Sequence, residues 1–348
     1  MAALSIGAAP HATPASGTRT ASEAMTVQRF ASVTTHNLML LPSGITDWES
    51  DLRAHIMGQS DYLKTDDVLV LTELFDNSAT DEELFPRLAA HHPYRTPVIG
   101  RSSAGWNMTT GGYYGTPFED GGVAIASKWP ILYRAQHLYG GGCGADYWAS
   151  KGFAYAVIDV GGTRTHVVGT HLQANDSGCD AGEAARERAR QMDSISTFLA
   201  QRSIPATEPV VIAGDFNIHP ASSEYSSLLS RLHVTTPRTS PTSAASYDPT
   251  SNSIARYRDP RGTPGRLDHV FLRADHARPP HGWTNTVLDI HTPPYRLRDR
   301  YFRDYSDHYP VSAKPLAVIQ LLARQGRAPS DREARPSPHT HWSASLGG

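Results

Sequence analysis

The sequence predicts an α/β protein, and three stretches carry that prediction. The runs Asp67-Val-Leu-Val-Leu-Thr-Glu73 and Pro209-Val-Val-Ile-Ala-Gly-Asp-Phe-Asn217 are short, apolar and rich in β-branched residues, the pattern of strands buried on both faces. Segments 151–160 and 163–170 read as two further strands joined at Gly161-Gly162, a hairpin signal. Segment 183–202 repeats Met192, Ile195, Phe198 and Leu199 at helical spacing, with Glu and Arg filling the other face.

The remaining elements follow in order. Segment 30–39 is extended, with Asn37 near its end, and 48–57 is helical. The strand 67–73 ends in an acid, and 82–90 suits a short helix. A loop region at 91–115 is rich in glycine and carries Trp106, Tyr113 and Tyr114. The acidic pair Glu119-Asp120 leads into a strand at 121–128. After the 209–217 strand, 223–232 reads as a helix and 235–265 as a long polar loop. Loops of that length are more often functional or mobile than structural. Strands follow at 266–272 and 283–290, and Asp307-His308 precede a final strand. A short helix is expected at 316–324. The expected organisation is an N-terminal arm or signal remnant (1–31), one main domain (32–314) and a polar tail (315–348).

Composition bounds the function. The chain has 348 residues, 39% hydrophobic and 19% charged, with a net charge of -2, as in a soluble globular protein. Nucleic-acid binders usually show a basic excess; none is present, so no nucleic-acid partner is expected. No segment reaches the roughly 18 apolar residues of a membrane span. The two cysteines, Cys143 and Cys179, permit one disulfide and hence an extracellular location. Such a bridge contributes roughly 3–4 kcal/mol in the chain-entropy model.

The chemistry lies in what the strand ends present. Alternate side chains of a strand share a face, so Asp215 and Asn217 point the same way while Phe216 points back into the core. Asn37, Glu73, His171, Asp268 and the pair Asp307-His308 also stand at strand ends or beside them. The inventory is hard oxygen donors, two histidines and a carboxylate to orient one of them. That set suits metal-assisted phosphoester hydrolysis: a cation neutralises phosphate charge, one histidine takes a proton from water, and a carboxylate fixes its tautomer. Zinc is disfavoured, because acids outnumber histidines and no closely spaced His/Cys pair stands out. Neither a P-loop nor a GxSxG elbow is present.

The order Asn37, Glu73, Gly214-Asp-Phe-Asn217, Ser306-Asp-His308 resembles the endonuclease/exonuclease/phosphatase superfamily. Longer strings are similar to the bacterial neutral sphingomyelinases, or sphingomyelinases C. They are Thr72-Glu-Leu-Phe-Asp-Asn77, Gly105-Trp-Asn-Met-Thr-Thr-Gly111, Gly122-Val-Ala-Ile-Ala-Ser-Lys-Trp-Pro-Ile131, Lys151-Gly-Phe153, Gly169-Thr-His-Leu-Gln-Ala174 and Asp304-Tyr-Ser-Asp-His-Tyr-Pro-Val311. The resemblance implies a four-layer α/β sandwich of two packed, mostly antiparallel sheets flanked by helices. It implies a central Mg2+ site (with Mn2+ or Co2+ as alternatives, and Ca2+ inhibitory or secondary) at Asn37, Glu73, Asp215, Asn217, Asp307 and His308. Catalytic roles would fall to His308 as general base, Asp268 behind it, His171 on the scissile phosphate, and Asn217. An edge metal site would use Asn77, Glu119 and Asp120, near Phe75, and Cys143 would pair with Cys179. The implied protein is a secreted monomer acting peripherally on a sphingomyelin-containing membrane surface.

One stretch departs from the family. Where its members carry a membrane-inserting hairpin with large exposed apolar residues, this chain has Pro293-Pro-Tyr-Arg-Leu-Arg-Asp-Arg-Tyr-Phe302, shorter and strongly charged. Tyr295, Tyr301 and Phe302 remain as interfacial candidates. Trp106, Tyr113 and Tyr114 are candidates to bind the choline headgroup through cation–π contacts, or else simply pack their loop. Two competing functions stay open on sequence: a nuclease or phosphoinositide phosphatase on the same scaffold, and a non-catalytic lipid-binding toxin component.

Overall fold

In the computed structural model, residues 28–112, 117–241, 244–297 and 299–316 are described. The strands, in chain order, are β1 (Val33–Leu40), β2 (Val68–Leu74), β3 (Tyr94–Arg95), β4 (Met108–Gly111), β5 (Ala124–Ser127), β6 (Ile131–Leu138), β7 (Gly152–Val160), β8 (Thr163–His171), β9 (Val210–Asp215), β10 (Arg238–Ser240), β11 (Asp268–Leu272), β12 (Trp283–Val287), β13 (Tyr295–Leu297), β14 (Arg300–Phe302) and β15 (Val311–Pro315). One sheet runs β10-β12-β15-β1-β2-β5-β3 and the other β11-β9-β8-β7-β6-β4. Antiparallel pairs predominate, but β1–β2, β8–β9, β4–β6 and β10–β12 are parallel.

The two-residue period of the strands builds the layers. Val33, Val68, Val70 and Ile125 of the first sheet meet Ala154, Val167, Val211, Ala213 and Val270 of the second in an apolar core between the sheets. The alternate residues point outward. Leu69 and Leu71 pack against the helix Ser50–Gln59 and its neighbours. Ile212, Phe216 and Phe271 pack against helices Glu183–Ala200 and Glu224–Leu232. The result is the expected order helix, sheet, sheet, helix. Met192, Ile195, Phe198 and Leu199 are the buried stripe of the long helix. That helix is not polar on all of its other side: buried Arg188 donates to both carboxylate oxygens of Glu224 (2.9 and 2.7 Å) and to the Gln173 carbonyl (2.8 Å).

Several expectations are refined. The 235–265 stretch is not a plain loop, because it holds β10 and a short helix, Ser253–Arg258. The Asn252 side chain caps that helix, accepting from the Ile254 and Ala255 amides, and donates to the Ser306 carbonyl at 2.8 Å. Residues 28–31, assigned to the arm, pack on the body: Ala31 is buried, and the Arg29 guanidinium lies over the Trp129 ring. The helix expected at 316–324 falls outside the described residues apart from Leu316, as do the remainder of the arm and tail.

Gly214 explains part of the Gly-Asp-Phe-Asn run. Its φ is +143°, and a Cβ there would stand 1.8 Å from the Thr170 carbonyl oxygen of the neighbouring parallel strand. We expect Gly214→Ala to push β8 and β9 apart and lower stability by about 1–3 kcal/mol or more. Thermal unfolding measures this, and an unchanged Tm would contradict the close approach.

Candidate active site

The parallel strands β1, β2, β8 and β9 all end at one edge of the sandwich, where the antiparallel β11 and β15 begin. Asn37, His171, Asp215 and Asp268 continue the inward-facing rows of their strands, so alternation alone places them between the sheets. Glu73 does not follow this rule. It shares the parity of Leu69 and Leu71, which face the helices, yet its carboxylate accepts from Asn37 in the cleft. The reason is backbone: Glu73 has φ +56°, a left-handed conformation that breaks the alternation. Met39 (φ +51°) and Asn217 (φ +53°) make the same turn where β1 and β9 end. Such residues cost about 1–2 kcal/mol each, and that strain is retained at the mouth of the cleft.

The polar groups there are buried and closely coupled. Asn37 Nδ2 donates to Glu73 Oε1 (2.8 Å) and to Asp215 Oδ2 (3.1 Å), while Asn37 Oδ1 accepts the Met39 amide (3.1 Å). His308 Nδ1 is 2.7 Å from Asp268 Oδ2, and its Nε2 lies 3.9 Å from Asp215 Oδ2. His171 Nε2 stands 3.7 Å from the same Asp215 oxygen. Asp307 accepts from Ser306 Oγ (3.2 Å) and from Arg258 Nη1 (2.6 Å). Asn217 donates its side-chain amide to the Leu172 carbonyl (3.1 Å) and its backbone amide to Asp215 Oδ1 (2.9 Å). Ligand atoms of Asp215, Asp268 and His308 all lie within 4.8 Å of one another.

Burial and charge divide the two histidines. Burial alone would lower the His308 imidazole, but the carboxylates of Asp268, Asp215 and Asp307 raise it to about 10. Burial and the Lys151 cation push His171 down to about 3. Near neutral pH and without a cation, His308 is therefore an imidazolium and His171 neutral. Glu73 is raised by burial and by the Asp307 charge. Asp307 is lowered despite its burial, because Arg258 and His308 face it.

This crowding fits a hard divalent cation. Several carboxylates converge, and the groups between them are positively polarised donors: the Asn37 amide nitrogen on two acids and the Arg258 guanidinium on a third. Oxygen-rich clusters of this kind suit Mg2+-type ions. Ligation by Asn37 would require its amide to turn the oxygen toward the acids.

Three functional neighbours escaped the sequence reading. Arg53 is buried and donates to the carbonyls of Trp48 (3.0 Å), Leu38 (3.0 Å), Met39 and Tyr305 (3.1 Å), tying the end of β1 to the turn before Ser306. His36 is held near pKa 3 chiefly by burial. The neutral ring donates from Nε2 to the His308 carbonyl and accepts from the Tyr62 hydroxyl, both at 2.9 Å. Arg258 lay within the supposed loop. Only Asn252 standing before Ser253-Ile-Ala-Arg-Tyr-Arg258 could have suggested its helix, since Asn is a strong N-cap.

Other expected sites lie away from this cluster. The Asp120 carboxylate accepts from Arg101 Nε (2.6 Å) and the Gly122 amide (2.7 Å). Glu119 is half-buried and raised by burial and by Asp120, and Asn77 is exposed. The Trp106 ring packs against the core between the sheets and does not line the cleft among the described residues. Tyr113 and Tyr114 lie outside the described residues. Cys143 and Cys179 form the disulfide, closing a separation of 36 residues. Gln173, two residues beyond His171, accepts the Cys143 amide (3.0 Å) and donates to its carbonyl (3.1 Å).

The chain resembles known proteins over most of its length. Residues 37–308 match the model of the Endonuclease/Exonuclease/phosphatase family. Sphingomyelinase C of Listeria ivanovii is 40% identical, covering 80% of this chain and 84% of the relative. The crystal structure of sphingomyelinase C from Streptomyces griseocarneus superposes with a TM-score of 0.77 at 44% identity, covering 81% of this chain and 98% of that one. A mutant β toxin from Staphylococcus aureus with bound magnesium ions gives a TM-score of 0.78 at 39% identity, covering 82% of this chain and 99% of that one.

The electrostatic assignment has a direct test. In chelator-treated protein, the His308 ring should titrate near pH 10 by NMR, well above the free value of about 6.5, and Asp268→Asn should lower it. The stability that this imidazolium contributes is complete below about pH 6.5 and lost as the pH rises toward 10. Addition of Mg2+ should move the titration down by offsetting the carboxylates. A metal-free His308 titrating at about 6.5 would contradict the dominance of the carboxylates over burial.

Proposed function

The chain belongs to the Endonuclease/Exonuclease/phosphatase family, alongside the bacterial sphingomyelinases C, and from that premise we propose that it is a divalent-cation-dependent phosphodiesterase cleaving sphingomyelin to ceramide and phosphocholine. The observation that carries the reading is the Asp268–His308 pair, 2.7 Å apart, set beside Asp215 at the cleft mouth. Its one disulfide suits an exported protein.

Each residue then has a role. Asp268 fixes the His308 tautomer; with a cation offsetting the carboxylates that otherwise hold the ring as an imidazolium, Nε2 would accept the proton of the attacking water. His36, bonded to the His308 carbonyl, and Ser306 Oγ, which accepts the His308 amide (3.3 Å), hold that residue in place. His171 is neutral, and its buried Nδ1 has no partner; the ring is suited to donate a hydrogen bond to a phosphoryl oxygen. Asn217 is anchored through its nitrogen, so its oxygen is the group left for a water or cation. Glu73, Asp215 and Asp307, with Asn37, Asn217 and His308 directly or through water, would hold Mg2+, or Mn2+ or Co2+ in its place. The cation supplies charge neutralisation for the phosphoryl oxygens when bound. Arg258, on the cleft wall with Glu73 and His171, is placed to meet phosphate oxygens as well as Asp307. Water adds to phosphorus, the bond to the ceramide oxygen breaks, and that oxygen leaves with a proton. The edge residues Asn77, Glu119 and Asp120 would form a second cation site only if Arg101 yields Asp120.

Turnover of sphingomyelin, phosphatidylcholine and plasmid DNA, with Mg2+ and with chelator, tests the reading. Sphingomyelin hydrolysis that stops on chelation is expected; cleavage of DNA alone would overturn it. His308→Ala should cost about 10²–10⁴-fold in kcat with the fold retained, and near-normal turnover would remove its role as base. Glu73→Gln should raise the Mg2+ concentration for half-maximal activity, since a neutral oxygen attracts a hard cation less. An unchanged titration would exclude Glu73 as a ligand.

A further inference from the structure

We propose that the rim formed by Phe118, Tyr147 and Trp148, with Ile45 across the cleft, is the face that docks on a zwitterionic, choline-bearing lipid bilayer; this rests on the lipid reading above. These are large apolar side chains held in water, with relative exposures of 74% for Phe118, 49% for Trp148, 45% for Tyr147 and 69% for Ile45. They are grouped rather than scattered. The Phe118 and Trp148 ring centroids are 5.1 Å apart, and those of Tyr147 and Trp148 are 5.0 Å apart. Exposed apolar groups that cluster mark an interaction surface, whereas single ones are ordinary.

The group is also fixed in place. The Phe118 and Glu119 amides both donate to the Trp148 carbonyl, at 3.0 and 3.1 Å, so the two loops move as one. The neighbouring segment is anchored by the Cys143–Cys179 disulfide and by Lys151 Nζ on Asp146 Oδ2 at 2.7 Å. A rigid aromatic surface meets an interface without having to be ordered first.

Position and charge select the occupant. The exposed Ile45, Phe118 and Trp148 line the same cavity of about 640 Å3 as Arg258, the half-buried Glu73 and the buried His171. A lipid leaving a bilayer at this rim would enter that cavity directly. The cavity is also lined by Glu119 and Asp176, by Asp146, which is paired with Lys151, and by the neutral Thr46 and Asn175. Carboxylates there repel an anionic surface and suit one that presents quaternary ammonium groups outward. Trp and Tyr rings favour the headgroup level of such a surface.

The β13–β14 hairpin does not offer the same face. Phe302 is buried with its ring 6.0 Å from that of Trp48, and Tyr295 is half-buried with its hydroxyl on the Asp304 carbonyl. Of the three aromatics expected to serve there, Tyr301 alone is exposed, and Arg296 and Arg300 flank it.

The test separates docking from catalysis. Full-length protein in chelator is sedimented with sphingomyelin/phosphatidylcholine vesicles, so no turnover is needed. The Phe118→Ser, Trp148→Ser double variant should lose about 10- to 100-fold in partitioning, and Tyr301→Ser should lose little. Phosphatidylserine in the vesicles should not strengthen binding. Hydrolysis of soluble p-nitrophenylphosphocholine with Mg2+ and the Tm should stay near wild type in the double variant; the single Phe118→Ser, at the most exposed position, serves if the double variant does not fold. Unchanged partitioning, loss through Tyr301 instead, or a concentration-dependent dimer that the double variant abolishes without affecting partitioning would each overturn the proposal. Failure of sphingomyelin hydrolysis with the partitioning difference intact would count against the catalytic reading and leave the docking face standing.

Discussion

Four carboxylates, Glu73, Asp215, Asp268 and Asp307, meet at the mouth between the two sheets, and their mutual repulsion in a buried setting is the constraint that shapes everything around them. Buried like charges are costly unless paired. Here each has a cationic or donor partner: Asp268 and Asp215 share His308, Asp307 has Arg258, and the Asn37 amide bridges Glu73 and Asp215. The raised His308 and the raised Glu73 are two expressions of the same crowding. A concentration of negative charge of this kind suits a hard divalent cation.

The scaffold serves that concentration. Strand direction brings the ends of β1, β2, β8 and β9 to the edge where β11 and β15 start. The irregular backbone leaving β1 has carbonyls that no ladder satisfies. Buried Arg53 takes those of Leu38 and Met39 together with that of Tyr305, so a single guanidinium locks the strand end to the Ser306-Asp307-His308 turn. His36 acts in a similar way from the outward face of β1, holding the His308 carbonyl. Removing such partners would leave buried polar groups unpaired, which is why these side chains lie inside although neither faces the cleft.

The helix Ser253–Arg258 closes the other wall. Asn252 caps it and is fixed to Ser306, while the Asp304 carboxylate accepts the Ser253 amide at 2.7 Å. Arg258 thus reaches Asp307 from a support bonded to the same turn that carries Asp307. Cleft and the Ser306-Asp307-His308 turn form one hydrogen-bonded unit, and the aromatic rim is held by the Phe118 and Glu119 amides on the Trp148 carbonyl.

Much of this was legible in the sequence. Strand period and strand ends marked Asn37, Glu73, His171, Asp215, Asn217, Asp268 and Asp307-His308, because alternation and an abrupt switch from apolar to acidic residues are local properties of the chain. The long helix and the Gly161-Gly162 hairpin were local in the same sense. What the chain could not display locally was decided by tertiary structure. Glu73 has the wrong parity for the cleft and enters it through a left-handed residue. Arg53 on Met39 and Tyr305, Arg258 on Asp307 and His36 on His308 act across 14 to 272 positions, a separation that no periodicity encodes. The placing of other aromatics was likewise decided by packing: Phe302 was drawn inward, while Phe118 and Trp148 were left at the surface. An aromatic side chain is equally apolar in either place, so only the neighbours supplied by the fold determine whether it becomes core or contact face.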